Sequence, residues 1–146
     1  MITMRKMRPV AAVIVLAATL LTACGDDAPK PLRSTASIQI TSPKQGAIVD
    51  GDSIPVTIEL TDGRIAERAS NDPADNKPDV GHMHVILDGK TVSLLEGLSF
   101  DLVDVLESSQ QPPIAKGRHV LQAEFATVSH GFFSPRVLSA VTFTVR

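Results

Sequence analysis

The chain has 146 residues, a formal net charge of −2, four histidines, one cysteine, no tryptophan, no tyrosine and five phenylalanines. Three of its 14 basic residues, Arg5, Lys6 and Arg8, precede Cys24 and none of the 16 acidic ones do, so the remainder carries 11 against 16, or −5. No basic stripe interleaved with aromatics is present, which excludes a nucleic-acid partner. The scarcity of flat rings argues against a carbohydrate cleft.

The first segment has the order of a secretory signal: positive charges, the apolar run Val10 to Leu21, then small residues before Cys24. The run is roughly 12 residues, whereas a helix spanning the hydrocarbon core needs about 20, so the segment reads as one that is cleaved rather than kept. Leu21-Thr22-Ala23-Cys24 resembles the lipobox of bacterial lipoproteins, in which the cysteine thiol receives a diacylglycerol and becomes the new N-terminus. This resemblance implies a membrane partner through an N-terminal lipid anchor at Cys24. As the single cysteine, Cys24 can form no intrachain disulfide, and acylation would remove a reactive thiol from an oxidising compartment. Gly25 follows the cysteine, with Asp26 and Asp27 next. The sorting rule of such lipoproteins, in which Asp directly after the cysteine retains the protein at the inner membrane, then favours the outer membrane. The expected organisation is a signal over 1–23, a lipidated cysteine and Pro-containing extended linker over 24–35, and one domain over 36–146.

Beyond the linker the apolar period is two. Ile38 and Ile40 alternate with Ser37, Gln39 and Thr41, and Val56, Ile58 and Leu60 alternate with Thr57, Glu59 and Thr61. A long polar stretch from Asp62 to Val80 follows, carrying Asp72, Asp75 and Asp79; loops of this length inside a compact domain are usually functional or disordered. Next come Met83, Val85 and Leu87, the hairpin signal Asp88-Gly89, and Thr91 to Leu95. Gly97 to Glu107 fits a strand, a helical turn or a crossing loop equally well. The last strands hold Leu121, Ala123 and Phe125, then Val137, Val141, Phe143 and Val145. About seven strands, each with one apolar face, predict an all-β fold, an immunoglobulin-like antiparallel β-sandwich without the cysteine pair and tryptophan of antibody domains.

Ile40-Thr41-Ser42-Pro43-Lys44-Gln45-Gly46 resembles the opening of bacterial Ig-like modules. Gly81-His82-Met83-His84, Gly117-Arg118-His119-Val120-Leu121, Ser129-His130 and Pro135 together resemble a family of small bacterial envelope domains with a Gly-His-x-His strand, a Gly-x-His-x-Leu strand and a late histidine loop. The resemblance implies a fold and a set of histidines, and no activity.

Histidine is the residue type whose placement points to chemistry. His82 and His84 are two apart on a strand, so both rings leave one face and can meet one metal ion, while Met83 points oppositely into the core. If their strand pairs antiparallel with the one from Arg118 to Thr127, His130 falls at their pole and His119 at the other, beside Asp88. If the chain has a metal site for zinc or copper, it is therefore His82, His84 and His130, completed by Asp79 or water, while His119 is structural. No nucleophile elbow, no second cysteine and no phosphate-binding glycine loop is present, so no enzyme is expected. Two readings stay open: a non-catalytic structural or interaction module, and a module that binds a transition metal.

Overall fold

The computed structural model describes residues 31–68, 70–95 and 97–146. The signal, Cys24 and most of the linker lie outside these described residues. In chain order the elements are β1 (Ser37–Ser42), β2 (Ala47–Val49), β3 (Pro55–Thr61), β4 (Arg64–Ile65), a 3-10 turn (Pro73–Asp75), β5 (Val80–Leu87), β6 (Lys90–Leu95), β7 (Ser99–Asp101), α1 (Leu102–Ser108), β8 (Gly117–Thr127) and β9 (Phe132–Val145). The nine strands among the described residues exceed the seven or so expected because β2, β4 and β7 have only two or three residues, too few for alternation to register.

One sheet has the order β1-β3-β7, and the other β2-β9-β8-β5, with β4 and β6 sharing the far edge of β5. This is the arrangement of an Ig-like sandwich, and its long pairings are antiparallel. Two short edge pairings, β2 with β9 and β4 with β5, are parallel.

The alternation read from the sequence sets which residues meet between the sheets. Ile40, Val56 and Ile58 from one side pack with Met83, Val85, Leu121, Ala123, Phe125, Val141, Phe143 and Val145 from the other. The open stretch 97–107 divides into β7 and α1. Asp101 explains the break: its carboxylate accepts from Val103 N at 2.8 Å, capping the helix, and from Ser53 Oγ and Ile54 N of the facing segment. Leu102, Val105 and Leu106, spaced as one helical face, close that end of the core.

Two glycines fix the strand that matters most for the site. Asp88 and Gly89 turn β5 into β6 with φ of 50° and 82°, the left-handed pair that a type I′ hairpin requires. At the start of β5, a Cβ on Gly81 would lie 1.8 Å from the carbonyl oxygen of Ala126 on β8, so any side chain there forces the two strands apart.

Phe143 is fully buried between the sheets. Phe143→Ala should lower the unfolding free energy by about 3–5 kcal/mol, the usual range for a buried phenylalanine, in a urea titration followed by circular dichroism. A loss under about 1 kcal/mol would contradict the packing.

Candidate metal centre

Along β5 the odd-numbered Met83 and Val85 face the core, which leaves His82 and His84 on the outer face of the sheet. Outer-face residues normally meet solvent. Here His82 is 2% and His84 8% exposed. The cover comes from the β8–β9 connection. Pairing between these strands jumps from Phe125 with Val137 to Ala126 with Phe132, so residues 133–136 leave the ladder as an excursion before it resumes.

The connection also carries His130. Thr127 N donates to Gly131 O, His130 N to Thr127 O, and Gly131 N to the Thr127 hydroxyl, closing a tight turn. His130 adopts φ +65°, a left-handed conformation that costs an L-residue roughly 1–2 kcal/mol. Because β5 and β8 run antiparallel with Gly81 opposite Thr127 and His82 opposite Ala126, this turn stands beside the start of β5.

The result is a cluster of three imidazoles. Ring centroids are 4.9 Å apart for His82 and His84, 4.5 Å for His82 and His130, and 6.1 Å for His84 and His130. One nitrogen from each lies within 4.8 Å of the others. The two Nε2 atoms of His82 and His84 are 3.0 Å apart, within hydrogen-bond distance. Ligand nitrogens around a tetrahedral zinc at 2.0–2.1 Å stand about 3.3 Å from one another, so a small rotation of the rings brings three onto one ion. His82 Nδ1 is buried and has no hydrogen-bond partner among the described residues.

Electrostatics favour the ligand form. Burial, followed by the neighbouring His84 and His130, pushes His82 down to about 4. Burial also lowers His84, against the opposing pull of Glu124. Neutral imidazole is the coordinating species, and the lowering at both residues favours it.

Sequence reasoning missed the groups around the cluster. Glu124 lies opposite His84 on β8, is 1% exposed, and forms a bidentate ion pair with Arg136 of the excursion. Arg136 stacks on Phe132 at 4.4 Å, and that ring meets His84 edge-on at 6.4 Å. A signal existed: Glu124 is the one charge in an otherwise apolar run from Ala123 to Val128 that also includes Thr127.

Asp79 is engaged elsewhere. Its carboxylate accepts from Ser34 Oγ at 2.6 Å, Thr35 N at 2.7 Å and Ala36 N at 3.1 Å, and these bonds, that from Ser34 foremost, hold its pKa below the ordinary range. It belongs to the pin that fixes the start of the domain, and the converging group is the three histidines without it. The reason is parity: counted along β5, position 79 falls with the core-facing residues, and its φ of 58° turns the chain away before the strand begins. Asp72 caps the 3-10 turn through Ala74 N, and Asp75 accepts from Ser70 Oγ.

His119 sits at the other end of β8. Its Nδ1 is 2.7 Å from Asp88 Oδ2 and its Nε2 2.8 Å from Ala115 O, while its ring lies 5.8 Å from that of Phe143. Burial lowers its pKa, but two acceptors on opposite ring nitrogens outweigh burial and raise it above the ordinary value. A raised pKa means that stabilisation is full below about pH 6.5, the unfolded value, and is lost as pH climbs through the folded one. The stability gap between the parent and His119→Gln should therefore narrow from pH 6 to pH 8 in urea titrations. A gap that widens over that interval would contradict the imidazolium.

No family model and no curated protein matches the chain. Among solved structures it is similar to a fibronectin(III)-like module of Clostridium thermocellum CbhA, with 11% identity, coverage of 75% of this chain and 95% of that one, and a TM-score of 0.40.

Proposed function

We propose that this chain is a lipid-anchored envelope protein whose Ig-like sandwich binds a transition metal, zinc or copper, through His82, His84 and His130. The observation that carries this reading is the convergence of three imidazoles from two elements more than forty residues apart, each with a nitrogen within 4.8 Å of the others. Imidazole suits zinc and copper among the common metals, and the sulfur of Met83 faces the core, out of reach of the cluster. Three protein ligands leave a further coordination position for water or an incoming group. The role in this reading is uptake or holding of the ion.

The anchor complements the site. Asp79 pins Ser34, Thr35 and Ala36 immediately before β5, so the linker joins the domain at the pole that carries the histidines. Ser34 is ten residue steps from Cys24, a reach of at most about 33–36 Å, which keeps the cluster close to the lipid surface. Gly25 after the cysteine favours the outer membrane for that surface.

A second reading is supported by the His82–His84 hydrogen bond and by the exposed Leu94, Phe132 and Leu138. In it the module is structural or recognises a protein partner, and its histidines only fasten the connection.

Titration of the metal-free mature protein with zinc and copper separately decides between them. The expected outcome is one equivalent bound, with affinity reduced about a hundredfold or more in His84→Ala and unchanged in His119→Gln. Affinity that survives His84→Ala leaves the structural module as the account. For the anchor, Cys24→Ser should abolish incorporation of radiolabelled fatty acid in cells. Label retained at the parental level refutes lipidation at this residue.

A further inference from the structure

Asp79 is the residue of the long polar stretch before β5 that its spacing singles out, yet the one that reaches toward the histidines is Asn76. Its side-chain nitrogen donates to Ser129 Oγ at 2.8 Å, and its side-chain oxygen accepts from Ser129 N at 3.0 Å. Both ends of one amide thus grip the residue directly before His130. A third bond from the same stretch, Ser70 N to Val128 O at 3.1 Å, holds the preceding residue. Asn76 is itself held in place, since its N–H donates to Pro73 O and closes the 3-10 turn that Asp72 caps. On its far side the connection is tied down by the Arg136–Glu124 pair.

His82 and His84 are set by a strand paired on both sides and need no such device. His130 stands on a connection, in a left-handed conformation, and brings no ladder pairing of its own. Of the three imidazoles it is the one whose position depends on a fastening.

We infer that Asn76 is the positioning residue of the metal centre: its two hydrogen bonds to Ser129 hold His130 against His82 and His84 and so convert a two-histidine pair into a three-histidine site. This rests on the metal-binding reading above. Residues that orient a ligand without touching the ion typically change affinity by 10–100-fold, and Asn76, bonded to the neighbour of a ligand, falls in that class.

The test uses the mature lipoprotein in detergent with copper(II) as probe. In Asn76→Ala affinity should fall about tenfold or more, and the nitrogen superhyperfine pattern in electron paramagnetic resonance should change from three imidazoles to two. His130→Ala should give the same two-nitrogen spectrum. Adding Asn76→Ala to His130→Ala should cost nothing further, because a residue that acts only through His130 then has nothing to position. Parental affinity and three nitrogens in Asn76→Ala overturn the inference, as does full additivity of the two losses. If the parent takes up neither copper nor zinc, the metal reading falls; in that case, or where zinc alone is bound, the clamp is decided on the metal-free protein. There the ring resonances of His130 should move to random-coil positions in Asn76→Ala while those of His119 stay, and unmoved His130 resonances overturn it.

Discussion

The antiparallel pairing of β5 with β8 is the constraint on which the rest depends. Its register is held by apolar residues on the core face, Met83 and Val85 against Ala123 and Phe125, and by the close approach at Gly81, where no side chain fits. A slip of one residue would send Met83 and Val85 to the outer face and the histidines into the core, exchanging two apolar side chains for two polar ones. Register therefore fixes the placement of every group discussed here. His84 stands opposite Glu124, the Thr127–Gly131 turn stands beside His82, and Asp88 at the far end meets His119.

That register also accounts for the unusual burial on the outer face. A sheet in a two-layer sandwich has one wet side, and polar residues there need no partners. The excursion of the β8–β9 connection covers part of that side, and Glu124, His82 and His84 lose their solvent beneath it. Removing a carboxylate from water costs several kcal/mol unless it is paired in good geometry, which Arg136 supplies with both of its arms. The imidazoles respond differently: burial keeps them neutral. One desolvated patch thus holds an ion pair and a set of neutral nitrogen donors side by side.

Much of this was legible in the sequence because alternation with period two reports directly on a two-layer β fold. The phase of β1, β3, β5, β8 and β9 and the Asp88-Gly89 hairpin could all be read from single residues, and the pairing of β5 with β8 followed from the topology of the fold class. From that pairing alone, His130 is brought to His82 and His84, and His119 to Asp88. What escaped were features carried by side chains that reach across the fold rather than along it. Asp79 was assigned by nearness in sequence, but three residues along a strand reverse the face, and its carboxylate serves Ser34, Thr35 and Ala36 instead. Asn76 and Arg136 contribute through partners 53 and 12 residues away, and no local pattern marks such bonds. The helix over Leu102 to Ser108 stayed open, because seven residues are too few for the spacing of Leu102, Val105 and Leu106 to outweigh the surrounding strand pattern.

The two parallel edge pairings have a consequence for crowding. An open strand edge is a template for joining neighbouring molecules into aggregates. Here β4 and β6 divide one border of the larger sheet between them, and β2 caps the terminal part of β9 with only three residues. Pro135 removes a donor from the stretch of β9 that leaves the ladder. The border beyond β5 is thus broken between strands of two and six residues, and a neighbouring molecule finds no single strand running its length to pair with.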